Sequence, residues 1–137
     1  LVLQRSFIRR HILIWKIPFH RWQKDLKQSD QSAWLLVQHA DHDPAFQKEV
    51  LGKLEKLYRI GETSHQNYAY LFDRVAASHN DLSKRKSQRY GTQGMCLGPG
   101  KWEPIPIDKP ADVDRRRAEV GLGPLQEYID GFKTICR

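Results

Sequence analysis

Nine residues in three short stretches carry the chemistry that this sequence offers. The first stretch, Gln38-His39-Ala40-Asp41-His42-Asp43, sets two imidazoles and two carboxylates at the end of an apolar run. His39 follows Leu35 by one helical turn, which predicts partial burial, where small changes of environment tune a histidine near neutrality and fit it for general acid–base work. Gln38 and Asp41 flank it as candidate substrate contacts, and His42 is expected to face solvent. The second stretch, Asp73-Arg74, is a polar break in an apolar segment. There Arg74 is a candidate for stabilising an anion and Asp73 for binding substrate. The third, Gln88-Arg89-Tyr90-Gly91-Thr92-Gln93-Gly94, packs two amides, a guanidinium, a phenol and a hydroxyl between glycines. Gln88, Thr92 and Gln93 suit substrate orientation, and Tyr90 completes a catalytic set with His39 and Arg74. Each member also has a structural use: a histidine bonded to a carbonyl, a surface ion pair, a turn stitched by its own side chains.

Other chemistries find less support. Histidine and aspartate ligate transition metals, but the chain has no HExxH, no CxxC and no second ligand cluster, and Asp43 is better used as a helix cap. Neither a metal nor a cofactor is expected. The glycines of the third stretch do not form the GxxxxGKS arrangement of a phosphate-binding loop. Cys96 and Cys136 are too few for a disulfide framework; one bridge and two free thiols are both open.

At 137 residues the chain fits one domain, and with 39% hydrophobic residues it can bury a core. The formal charge of +7 is unevenly placed. Residues 1–31 hold seven Lys/Arg against two Asp/Glu and residues 80–101 hold five against one, whereas 32–79 and 102–137 are each −1. Local basicity of this kind suits a polyanion such as nucleic acid, and it also suits an ordinary basic protein. The apolar stretch Ile12 to Phe19 is broken by Lys16 and Pro18 and is far short of the ~20 residues that span a bilayer, so no membrane partner is expected. The chain opens on Leu rather than Met, as a processed product or the later part of a longer protein would. A soluble protein is expected, either cytoplasmic or a secreted effector.

The elements that must position these residues are mostly helices. Ser32 to Ala40 is apolar on nearly every side and predicts a central buried helix. Asp43-Pro44 starts the next, with Phe46, Val50, Leu54 and Leu57 at helical spacing and Gly61 as its stop. Ser64 caps a third, with Tyr68, Leu71, Phe72 and Val75 inward, Asp73 and Arg74 off that stripe, and an end near His79-Asn80. Asp81 to Gly100 is rich in glycine, proline and charge and predicts a loop or hairpin; Trp102 to Ile107 alternates like an edge strand interrupted by prolines. Asp112 can cap a helix through Arg115, Arg116, Arg117 and Val120 that Gly121 ends. Three successive arginines point about 100° apart, so they form no single patch, and at least one is expected in an internal salt bridge. Pro124 opens a last helix with Leu125, Tyr128, Ile129 and Phe132 inward. The expectation is a mainly α fold with a small β-hairpin or extended segment, a compact single-domain helical bundle over 32–137 preceded by a basic segment, 1–31, of uncertain order.

Four stretches in fixed order, HADHDPAFQ, NYAYLFDRV, QRYGTQ and PIPIDKPADVDRRRAEVGLGPLQEY, resemble a family of small bacterial proteins of unknown function, over roughly Ala33 to Tyr128. Residues 1–31 differ from the usual lead-in, and the insert SHNDLSKRKS before Gln88 is unusually basic. The resemblance bears on fold and site location and implies no activity.

Two functions fit these residues. One is a small basic hydrolase, metal-independent and acting on a phosphodiester or nucleic acid in the manner of a toxin-like effector domain, with His39 as acid–base, Arg74 on an anion and Tyr90 beside the substrate. The other is a non-catalytic protein-interaction module in which the same residues form a buried polar network.

Overall fold

The computed structural model describes residues 25–78, with side chains from Asp30 onward, and residues 85–137. Residues 1–24 of the expected basic segment, and the helix end expected at His79-Asn80, lie outside the described residues. The architecture is mainly α with one small antiparallel hairpin. Two compact units divide the chain between Tyr68 and Ala69.

The first unit holds α1 (Asp25–Gln38), α2 (Pro44–Arg59) and the first turn of α3 (His65–Ala77). The Asp43 side chain accepts from Phe46 N at 3.0 Å and Pro44 occupies the first turn of α2, so a local signal fixes where this helix begins. Its buried residues Phe46, Val50 and Leu54 recur every fourth position on one face. Gly61 takes a left-handed φ of 72°, its N–H donates to Tyr58 O and the Glu62 N–H to Leu57 O, which ends α2. Ser64 Oγ accepts from Asn67 N at 3.3 Å at the start of α3. Gln47 is wholly buried and its Nε2 donates to Val37 O at 3.0 Å, which also accepts from Ala40 N, and to Gln38 O at 3.3 Å, so a side-chain amide adds a donor to the carbonyls at the end of α1. The expectation that Ser32 to Ala40 is buried all round is corrected. Ala33, Val37 and Ala40 are buried, but Leu35 is 43% and Leu36 37% exposed, because only one stripe of α1 turns inward.

The second unit holds the rest of α3, the hairpin β1 (Gly94–Gly98) and β2 (Lys101–Pro104), a single 3-10 turn at Pro110–Asp112, α4 (Val113–Glu119) and α5 (Leu125–Gly131). Gly94 pairs with Pro104, Met95 with Glu103 and Cys96 with Trp102, with a bulge before Gly98. A side chain at Gly94 would collide with the Trp102 ring, so glycine lets the indole lie across the strand. Trp102 stacks on Phe132 with centroids 4.6 Å apart, and Tyr128 meets both rings edge-on. A disulfide joins Cys96 in β1 to Cys136, settling the choice that the sequence leaves open. Asp112 stands at the N-cap of α4 without a side-chain capping bond. Among the described residues no helix is long and apolar enough to cross a membrane.

Candidate functional site

The second unit is organised around one carboxylate. Asp73 is 0% exposed, on the side of α3 opposite to the expectation that it lies off the inward stripe. Its Oδ1 accepts from Arg89 N at 2.7 Å and from Tyr90 N at 3.1 Å, and its Oδ2 from Thr92 N and the Thr92 hydroxyl, each at 2.9 Å. The glycine-rich segment thus wraps its amides around one buried carboxyl group, which replaces the water those groups would otherwise bind. Burial pushes the Asp73 carboxyl above its ordinary value, and the amides of Thr92, Arg89 and Tyr90 pull it back. Gly91, between the held residues, has φ 70°, and a Cβ there would stand 2.7 Å from Leu125 Cδ1.

Gln88, also 0% exposed, closes the segment from the other side. Its Nε2 donates to Gln93 O at 2.8 Å and Ile105 O at 2.6 Å, and its Oε1 accepts from Gln93 N at 2.8 Å. Arg74 Nη1 donates to Gln93 Oε1 at 3.0 Å, Gln93 Nε2 to Thr92 Oγ1 at 3.1 Å, and the Tyr128 hydroxyl to Thr92 O at 3.0 Å. Burial raises the Tyr128 phenol well above its usual range, which keeps it a donor.

Arg116 and Arg117 hold the outside of the same segment. Arg116 Nε donates to Arg89 O at 2.9 Å, and its Nη atoms reach the carbonyls of Asp108 and Lys109. Arg117 Nη1 donates to Tyr90 O at 2.7 Å and its Nε to Gly123 O at 2.6 Å, while its guanidinium lies 5.0 Å from the Tyr128 ring centroid. The expected internal salt bridge is therefore corrected. Both buried arginines spend their donors on carbonyls, and the ion pairs of Arg115 with Glu119 and Asp112 are at the surface.

The residues predicted as a site fall in both units. Asp73, Arg74, Gln88, Tyr90, Thr92 and Gln93 come together in the second, with Tyr90 buried against the edge of Phe72. Gln38, His39 and Asp41 belong to the first. His39 is exposed, not partly buried as expected, because the turn after α1 carries it to the surface. Asp41 is exposed and accepts from Gln47 Nε2 at 3.4 Å. Among the described residues no three His, Cys, Asp or Glu side chains are grouped to hold a metal ion.

A cavity of about 450 Å³ opens beside this network in the second unit, lined by Phe72, Ser87, Arg89, Lys109, Arg115 and Arg116, together with Asp108 and Asp112. Lys109, with φ 42° and ψ 68°, is the one non-glycine residue of left-handed conformation among the described residues. It also precedes Pro110, a position that favours extended backbone.

Residues 14–135 match a family of unknown function, DUF6624. The chain belongs to that family. No curated protein and no solved structure matches it. The part matched to DUF6624 takes in the whole Asp73 network and ends one residue before Cys136. Sequence reasoning missed Arg116, Arg117 and Tyr128 as members of that network. Their partners are main-chain carbonyls, which every residue carries, so no side-chain pattern announces them.

Proposed function

We propose that this chain is a non-catalytic interaction module whose second unit is a binding platform made rigid by a buried polar network. The observation that carries this reading is Asp73: all four donors that its carboxylate accepts from belong to the chain's own glycine-rich segment, and Gln88 is likewise occupied. A group so engaged holds a shape, whereas a general base or substrate contact needs a free lone pair or proton directed at the ligand. Exposed apolar side chains add to the case. Met95 and Leu97, two residues apart on β1 in the second unit, are exposed apolar side chains that a protein partner would cover.

The competing reading is a metal-independent phosphodiester hydrolase with His39 as its acid–base, and the exposure of that imidazole favours it. The test incubates the purified chain with total RNA and plasmid DNA, with and without a chelator, beside His39→Ala and Asp73→Asn, and melts all three proteins. The platform reading expects no cleavage, an unchanged melting temperature for His39→Ala and a large drop for Asp73→Asn. Cleavage that survives the chelator and vanishes in His39→Ala overturns it.

A further inference from the structure

The cavity beside the network is built around cations that the fold leaves available. Arg89 and Lys109 both line it, both are exposed, and among the described residues neither is held by a carboxylate, whereas Arg115 is paired with Glu119 and Asp112. Their backbones are fixed by a shared device. The Arg116 guanidinium, itself buried, binds the carbonyls of Arg89, Asp108 and Lys109 together, and Asp73 holds the Arg89 amide from the other side. Two segments distant in sequence are thereby clamped so that one cation from each faces the same space. The left-handed backbone of Lys109 points the same way. A lysine in that conformation ahead of a proline is disfavoured, and glycine or asparagine would hold the turn more easily. Residues kept in such conformations cluster where a side chain must be aimed at a ligand.

We propose that this cavity binds a phosphate-bearing small molecule, with Arg89 and Lys109 as its charge-assisted donors, Ser87 as a hydroxyl partner and Phe72 as an apolar wall for the group that the phosphate carries. Arginine offers a planar fork and lysine a point charge, a pairing suited to the several oxygens of one phosphate group. The volume, about 450 Å³, is that of a small-ligand pocket. The cations outnumber the two carboxylates of the lining, Asp108 and Asp112, and Asp112 is already engaged by Arg115. Arg116 is a positioning residue, since its donors are spent on carbonyls. This inference goes beyond the platform reading and does not depend on it: the pocket can bind phosphate whether or not the chain also cleaves nucleic acid.

Calorimetric titration and thermal shift in chloride buffer, with inorganic phosphate, AMP and adenosine as separate probes, test the proposal. Phosphate and AMP are expected to bind and raise the melting temperature, and adenosine to do neither. AMP tighter than phosphate supports an organic ester seated against Phe72, and phosphate binding as tightly as AMP overturns that part of the proposal. Arg89→Ala and Lys109→Gly should each weaken binding by at least about tenfold. Lys109→Gly is the decisive variant because glycine accepts the left-handed backbone, so the unliganded chain should melt no earlier than the native one. No binding of phosphate or AMP up to about 10 mM overturns the proposal, as do equal affinities in native and variant chains or adenosine binding as well as AMP.

Discussion

The side-chain amide of Gln88 pairs with the backbone of Gln93 as a neighbouring strand would, donating from Nε2 to Gln93 O and accepting at Oε1 from Gln93 N, both at 2.8 Å. A glutamine here substitutes for a peptide group, so its two ends are not interchangeable with any other side chain of the same size. Gln88→Glu keeps the shape and removes the donor, so the Ile105 carbonyl loses its bond from Nε2 and the Gln93 carbonyl keeps only the one from Ile105 N, both beside a buried charge. A loss of about 2–5 kcal/mol is expected, and urea unfolding measures it; a variant as stable as the native chain would contradict the pairing.

Asp73→Asn replaces an acceptor from four donors by an amide whose NH2 end faces N–H or O–H groups that also donate. The expected cost is about 2–4 kcal/mol, against about 0.5 kcal/mol or less for His39→Ala at its exposed position. Comparable losses in the two variants would show that the carboxylate is not the centre of the unit.

Acidity provides a further check on the same group. The folded value of Asp73 lies above the 3.8 of an ordinary aspartate. Its contribution to stability is therefore fully present below the unfolded value and is lost as pH rises through the folded one. The stability gap between the native chain and Asp73→Asn should widen on going from about pH 7 to about pH 4. Carbon-detected NMR of the Asp73 carboxyl should place its midpoint above 3.8, and a midpoint below that value refutes the expectation.

The Cys96–Cys136 disulfide closes a loop across a sequence separation of 40. By chain entropy such a cross-link is worth about 4 kcal/mol. Denaturant unfolding with and without reductant, and of Cys96→Ser with Cys136→Ser, should both report a loss of that order, with the hairpin the first element to lose amide protection.

Gly91→Ala sets a Cβ on a left-handed backbone and against the Leu125 methyl group. A destabilisation of about 1–3 kcal/mol is expected. Pairing it with Leu125→Ala, which removes the closer contact but leaves Ile107 Cδ1 at 3.0 Å, should recover only part of the loss.

Much of the fold was legible because its signals are local. Asp43-Pro44 and Gly61 bound α2 through bonds that reach three to five residues, and a prolined alternation after a glycine-rich stretch is enough to foresee an edge hairpin. The site was legible in membership but not in arrangement. Asp73, Arg74, Gln88, Tyr90, Thr92 and Gln93 were singled out by polarity, yet Asp73 was placed off the inward stripe, because the amides that make its burial tolerable lie 16 to 19 residues away and leave no trace in side-chain type. His39 failed for the opposite reason. Its apolar neighbours Leu35 and Leu36 imply a buried helix only if every face of α1 is covered, and these two leucines are themselves exposed.

Two adjacent arginines grip two adjacent residues: Arg116 takes the carbonyl of Arg89, and Arg117 that of Tyr90. The chain lengths on the two sides are therefore tied to each other like paired teeth. Inserting or deleting one residue at the start of α4, or between Gln88 and Tyr90, would shift both grips at once and leave two guanidinium groups and two carbonyls facing the wrong mates. Substitution on the exposed face of α4, at Arg115, Ala118 or Glu119, leaves the side chains of both grips in place. In this part of the molecule spacing, more than residue type, is what natural variation must respect.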